Sequence, residues 1–138
     1  MSTGPLLIIW HSRTGTSEQL AQAAHQAAGA DSRLLRAEEV EPEDLLAAGG
    51  YLFCCPENLA SMSGEMKEMF DRCYYPVLGR IEGRPYATVI AAGSDGEGAQ
   101  RQIDRIATGW RLKRVTDRWI VNTEAQEAEA ILAPKTVE

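Results

Sequence analysis

No apolar run in this 138-residue chain approaches the ~20 residues needed to cross a bilayer, so no membrane association is expected. Basic charge is also short. Lys and Arg number 14 against 20 Asp and Glu, leaving a formal charge of -6. An acidic chain without a basic stripe is a poor partner for nucleic acid. Cysteine is scarce and odd in number, at three, which fits a reducing compartment rather than a disulfide framework. The N-terminus lacks a basic region followed by an apolar signal core, so a cytoplasmic location is expected. Cys54, Cys55 and Cys73 form no ligand spacing with His11 or His25, and no metal is expected. All three read as buried, inert thiols. Cys54 and Cys55, adjacent on a strand, should point to opposite faces. Internal repeats and low-complexity linkers are missing too. Residues 1–138 therefore read as one domain, long enough to fold around its own core.

What the chain does contain is alternation. Strand-like apolar runs at 6–10, 33–37, 51–55, 86–92 and 115–121 are separated by helical patterns. The helices are expected at 16–28, from Pro42 through Leu46, along Met66–Met69–Phe70–Cys73–Tyr74–Val77, and along Ala99–Ile103–Ile106–Ala107–Trp110. The methionines fall on an apolar face and read as core. Pro56 is expected to end the third strand. Ile81-Glu82-Gly83-Arg84 reads as a native turn. Alternating strands and helices argue an α/β fold with a parallel sheet covered on both faces. Ligands of such sheets bind beyond the carboxyl ends of the strands, where strand order reverses.

Three loops leave that edge. The first, 12–17, is Ser-Arg-Thr-Gly-Thr-Ser between a strand and a helix. Helix-start N–H groups lack internal partners and attract anions. Hydroxyls at Ser12, Thr14, Thr16 and Ser17 add donors, and Gly15 allows close backbone approach. A plain helix cap needs only one hydroxyl. Such a cup suits one terminal phosphomonoester better than a triphosphate chain. The second loop, 56–64, is Pro-Glu-Asn-Leu-Ala-Ser-Met-Ser-Gly. The third, 93–98, is Gly-Ser-Asp-Gly-Glu-Gly.

With these three loops in order, residues 5 to about 122 resemble the flavodoxin-like superfamily, in particular its NADPH-dependent FMN reductase and quinone-reductase branches. Ser12-Arg13-Thr14-Gly15-Thr16-Ser17 matches the phosphate pattern. Ser61-Met62-Ser63-Gly64-Glu65-Met66-Lys67, running on to Phe70-Asp71-Arg72, is similar to the second flavin loop and its helix. The resemblance implies a three-layer sandwich with a five-stranded parallel sheet, order 2-1-3-4-5, and a fifth helix that is short or missing. It implies FMN as cofactor and NAD(P)H as electron donor. Residues 12–17 would hold the phosphate. Pro56, Glu57, Asn58, Leu59, Ala60, Ser61 and Met62 would line the isoalloxazine, with Leu59 or Met62 against the ring. Gly93, Ser94, Asp95, Gly96 and Gly98 would lie on its pyrimidine side. No catalytic side chain is expected, because the cofactor carries the reaction. Loops 56–64 and 93–98 lack the aromatics that sandwich the flavin in electron-carrier flavodoxins, and an uncovered ring face favours a reductase. A carboxylate beside the ring would oppose a negatively charged reduced flavin, so Glu57 is expected to point into solvent.

Rival readings fail on their motifs. A tyrosine phosphatase needs Cys-x5-Arg, but Ala60, Ser61 and Gly79 stand six residues after the three cysteines. A receiver domain needs an Asp where Cys55-Pro56 stands. A P-loop Gly-x4-Gly-Lys-Ser/Thr is absent. Two classes survive: a reductase passing electrons from NAD(P)H to a quinone-like acceptor, and an electron carrier or flavin-free interaction module. A missing fifth helix, with 124–132 too short and Pro134 interrupting, would bare apolar surface. A homodimer or homotetramer is therefore expected, with Tyr75, Trp110 and Trp119 as candidate contacts, although core packing is the more common role for each of them singly.

Overall fold

The computed structural model describes residues 4–92, 96–116 and 119–122. Among these residues there are seven strands: β1 (Leu6–Trp10), β2 (Ser32–Arg36), β3 (Gly50–Asn58), β4 (Ser61–Met62), β5 (Pro85–Ala92), β6 (Lys113–Arg114) and β7 (Trp119–Asn122). The same described residues hold four α-helices: α1 (Thr16–Ala28), α2 (Pro42–Ala47), α3 (Gly64–Val77) and α4 (Glu97–Gly109). The main sheet is parallel, in spatial order β2-β1-β3-β5, with β6 and β7 both beside β5. Taking β6 and β7 as two pieces of one final strand gives the expected order 2-1-3-4-5. The break between them is a departure from the single strand read at 115–121.

Side-chain alternation divides the core between the two faces. On β1, Leu7 and Ile9 enter the large cluster beneath α3 and α4, while Ile8 joins Leu20, Ala21, Cys54 and Val89 on the α1 face. Cys54 and Cys55 therefore do face opposite ways, and all three thiols are buried and free. On the large side Phe70 lies between Phe53 and Trp110, with ring centroids 5.2 and 5.5 Å away. Trp110 is fully buried, stacks on Tyr74, and donates its indole N–H to the Tyr74 carbonyl at 3.0 Å. It is a core residue, not an intersubunit contact. Tyr75 is exposed. The Trp119 side chain and residues 124–132 lie outside the described residues.

Two local sequence readings gain a physical cause. Pro42 opens α2 behind Glu41, and the Glu41–Asp44 capping box closes its start. At its other end, Arg84 donates to the carbonyls of Leu45, Leu46 and Ala48. The Ile81–Arg84 turn thus anchors α2: Ile81 is fully buried and Gly83 takes a left-handed φ of 82°. Pro56, however, does not end β3. Its register continues against Ala91 of β5, and β3 runs on to Asn58. β1 has already stopped opposite Cys54, so β3 is an edge at that point and tolerates a missing N–H.

Candidate functional site

The carboxyl ends of β1, β3 and β5 carry three structures of different character. The first is the turn 11–17. Ser12 Oγ accepts a hydrogen bond from Gly15 N at 2.8 Å, which closes the turn. Gly15 takes φ 104°, a left-handed value that costs glycine little. It stands at the N-cap of α1 and offers no side chain, so the first-turn N–H groups of α1 have no side-chain cap. Thr16 and Ser17 are buried, and Thr16 Oγ1 has no hydrogen-bond partner among the described residues. A buried hydroxyl without a partner costs about 1–3 kcal/mol, so its persistence needs a reason. The Ser12 hydroxyl accepts within the turn and retains its proton for donation. Thr14 is half-buried, and Arg13 is exposed. The result is an uncapped helix start surrounded by hydroxyl donors. That donor set fits a phosphomonoester such as the terminal phosphate of FMN.

The second structure is a hairpin. Glu57 and Asn58 at the end of β3 pair antiparallel with Met62 and Ser61. Leu59 (φ 49°) and Ala60 (φ 65°) make the two-residue connection. Positive φ at both central positions is the turn that matches strand twist, and it normally selects Asn and Gly. Here two ordinary residues take it, at about 1 kcal/mol each. Leu59 is completely exposed at the tip. Met62 instead turns inward and is buried in the main core. Of the two residues expected against a flavin ring, Leu59 is the exposed one and Met62 the buried one.

The third is the start of α4. Gly96, φ 84°, stands at its N-cap in the same left-handed conformation as Gly15. This helix start is occupied. Glu57 Oε1 accepts from Gly96 N at 2.7 Å, and Oε2 accepts from Ala99 N at 3.1 Å. Glu57 does not point into solvent. Its carboxylate is drawn across to the α4 amides, where the helix dipole favours a negative group. Gln102 fastens the other hairpin strand: its carbonyl oxygen accepts from Met62 N at 2.8 Å, and its amide donates to Ser61 Oγ at 3.3 Å. Gly98 lets the hairpin close in. A Cβ there would collide with the Ala60 carbonyl oxygen and come within 2.8 Å of its carbon. Gly93, Ser94 and Asp95 lie outside the described residues.

Sequence reading missed one element of this edge. His11, directly before the cup, places Nε2 3.3 Å from Glu65 Oε1 in the first turn of α3. His11 Nδ1 and Ser63 Oγ, like Thr16 Oγ1, are buried without partners among the described residues. The local pattern offered no signal, because the contact joins positions far apart in the chain. The thiols are chemically quiet. Burial pushes Cys55 up to about 12 and Cys73 up to about 11, and raises Cys54 further still. None supplies a thiolate nucleophile near neutral pH.

A parallel 2-1-3-4-5 sheet with a hydroxyl cup after its first strand defines a class: this is a flavodoxin-like domain. It superposes with a TM-score of 0.73 on an archaeal flavodoxin, 15% identical, covering 86% of this chain and 85% of that one. The TM-score is 0.67 with an NADPH-quinone reductase from P. pentosaceus, 16% identical, covering 96% and 90%. At such identities the likeness concerns the fold alone. Residues 42–126 match the model of the NADPH-dependent FMN reductase family, and the chain belongs to that family. A flavodoxin from Aquifex aeolicus (strain VF5) is 30% identical over 99 residues, 69% of this chain and 54% of that protein. The chain thus spans about half the length of that relative. No helix among the described residues is long and apolar enough to cross a membrane.

Proposed function

We propose that this protein is an FMN-dependent oxidoreductase that passes electrons from NAD(P)H to a quinone or a similar small acceptor. When bound, FMN supplies the redox chemistry; the chain supplies binding, orientation and access. Ser12, Thr14, Thr16 and Ser17, with the uncapped amides of α1, hold the phosphate end. Residues 56–60 and Ser61, with Gly93 to Gly96 and Gly98, border the ring. The observation that carries the reductase reading is the hairpin tip. A fully exposed Leu59 stands where an electron carrier would present an aromatic cover, and the remaining tip residue is Ala60. A side chain without an aromatic ring leaves room for a planar donor or acceptor to stack. The Glu57 and Gln102 clamps keep the tip from collapsing into that space.

Electron carriage is the second reading, and the similarity to the Aquifex flavodoxin favours it. A homodimer or homotetramer fits the sheet face that, among the described residues, α1 alone covers. The deciding experiment is NAD(P)H oxidation by FMN-loaded protein with and without a quinone. The reductase reading expects multiple turnovers with the quinone fully reduced. Flavin that binds but is never reduced by NADH or NADPH would move the protein to the carrier class.

A further inference from the structure

Against its acidic total, the chain concentrates positive charge in one stretch. Residues 97–114 hold Arg101, Arg105, Arg111, Lys113 and Arg114 against Glu97 and Asp104, a local +3 beside -9 for the rest. Part of that charge lines an open groove of about 590 Å³ between α4 and the hairpin tip. Arg101 and Arg105 stand one turn apart on α4, both exposed, with no carboxylate partner among the described residues. Asp104, the one acid lining the groove among the described residues, is engaged elsewhere. It accepts from the Tyr86 hydroxyl at 2.9 Å and from the Gln100 amide at 3.1 Å, and it pairs with Arg114 at 3.2 Å. Gln102 is likewise committed to the hairpin. Two adjacent guanidiniums are thus the free polar groups of a concave site.

From this geometry we infer that the groove is the binding site for the phosphate-bearing adenosine half of a nicotinamide dinucleotide. The inference rests on the reductase reading above. Planar guanidiniums take phosphate oxygens two at a time, and the groove volume lies in the range of small-ligand sites. From Gly98 to Thr108 it follows α4 for about 15 Å. Its upper end is Ala60, the hairpin tip bordering the proposed flavin site. One molecule lying along α4 therefore places its phosphates on Arg101 and Arg105 and its other end at the rim. The surrounding negative charge repels anions generally, while this stretch attracts them. A site with two free cations should also favour the dinucleotide carrying the extra 2′-phosphate.

The test is titration calorimetry of FMN-loaded protein with NADP+, which binds without turnover, and with NAD+. NADP+ is expected to bind more tightly than NAD+, with affinity that weakens as salt rises. Arg101→Ala/Arg105→Ala should lose NADP+ affinity at least tenfold, and Arg101→Lys/Arg105→Lys should lose less. Thermal midpoint and FMN affinity should not move. Unchanged NADP+ affinity in the alanine pair overturns the inference even if the protein oxidises NADPH. Absence of dinucleotide binding by the wild-type protein overturns it together with the reductase reading. Loss of affinity for an acidic protein partner, with NADP+ affinity intact, would assign the groove to that partner instead.

Discussion

α1 and α4 begin alike and end up chemically opposite. Each is 13 residues long, each follows a strand at the same edge of the sheet, and each starts behind a left-handed glycine without a side chain. The α4 start already holds an anion, the Glu57 carboxylate, from 39 and 42 residues before the two amides it accepts from. Among the described residues the α1 start holds none, and a buried hydroxyl there lacks a partner. Two equivalent dipoles thus serve different purposes. One fastens the hairpin, and the other is left for a ligand. A glycine-led helix start on such an edge signals anion binding only when the chain itself provides no anion.

The largest effect expected is at the vacant helix start. Thr14→Ala/Ser17→Ala removes two donors to a charged group, at ~1.5–3 kcal/mol each, so FMN affinity should fall at least tenfold. Fluorescence titration measures it, and the thermal midpoint of the flavin-free protein should barely change. At the occupied start, the ranking should invert. Glu57→Ala strips α4 of its cap and frees the hairpin, costing about 2 kcal/mol in denaturant unfolding of the flavin-free protein. Equal stability loss in both variants would erase the distinction between the two helix ends.

Beneath these ends lie Cys54, on the α1 face, and Cys55, on the α4 face. Both ionise far more readily unfolded, near 9, than folded. Between pH 9 and about 12 the unfolded chain therefore binds fewer protons, and stability falls as pH rises. Each buried thiol should contribute about 1 kcal/mol per pH unit in that window, and Cys54→Ala/Cys55→Ala should flatten the alkaline slope. Native protein at pH 8 should resist thiol reagents. The smallest effect is a gain. Leu59→Asn/Ala60→Gly suits the hairpin's positive φ values and should stabilise by about 1 kcal/mol, seen as a raised thermal midpoint.

The sequence made the sheet and the cup legible because both are local. β1, the hydroxyl turn and α1 follow one another, and period-3.6 spacing alone places α1 at 16–28. What it concealed was long-range. Glu57 reads as a solvent carboxylate until the fold brings Gly96 and Ala99 beside it. Pro56 reads as a strand end, yet β1 stops before it and leaves β3 free to continue. Met62 sits in a loop-like stretch, but one residue of β4 pairing turns it inward. Leu59-Ala60 carries no turn signal, since its positive φ values are imposed by clamps drawn from α4. Trp110 reads more readily as core than as interface from its helical spacing, and Phe70 and Tyr74 close around it.

The central claim is that the α1 start receives a phosphate while the α4 start does not. Parallel titrations with FMN and riboflavin, which differ by that phosphate alone, test it most directly. Wild-type protein should bind FMN roughly a hundredfold more tightly than riboflavin, about 3 kcal/mol. Thr14→Ala/Ser17→Ala should narrow that ratio sharply, and Glu57→Gln should leave it unchanged. Equal affinity of the wild-type protein for both flavins, or a ratio that collapses in Glu57→Gln and not in the hydroxyl variant, would contradict the account.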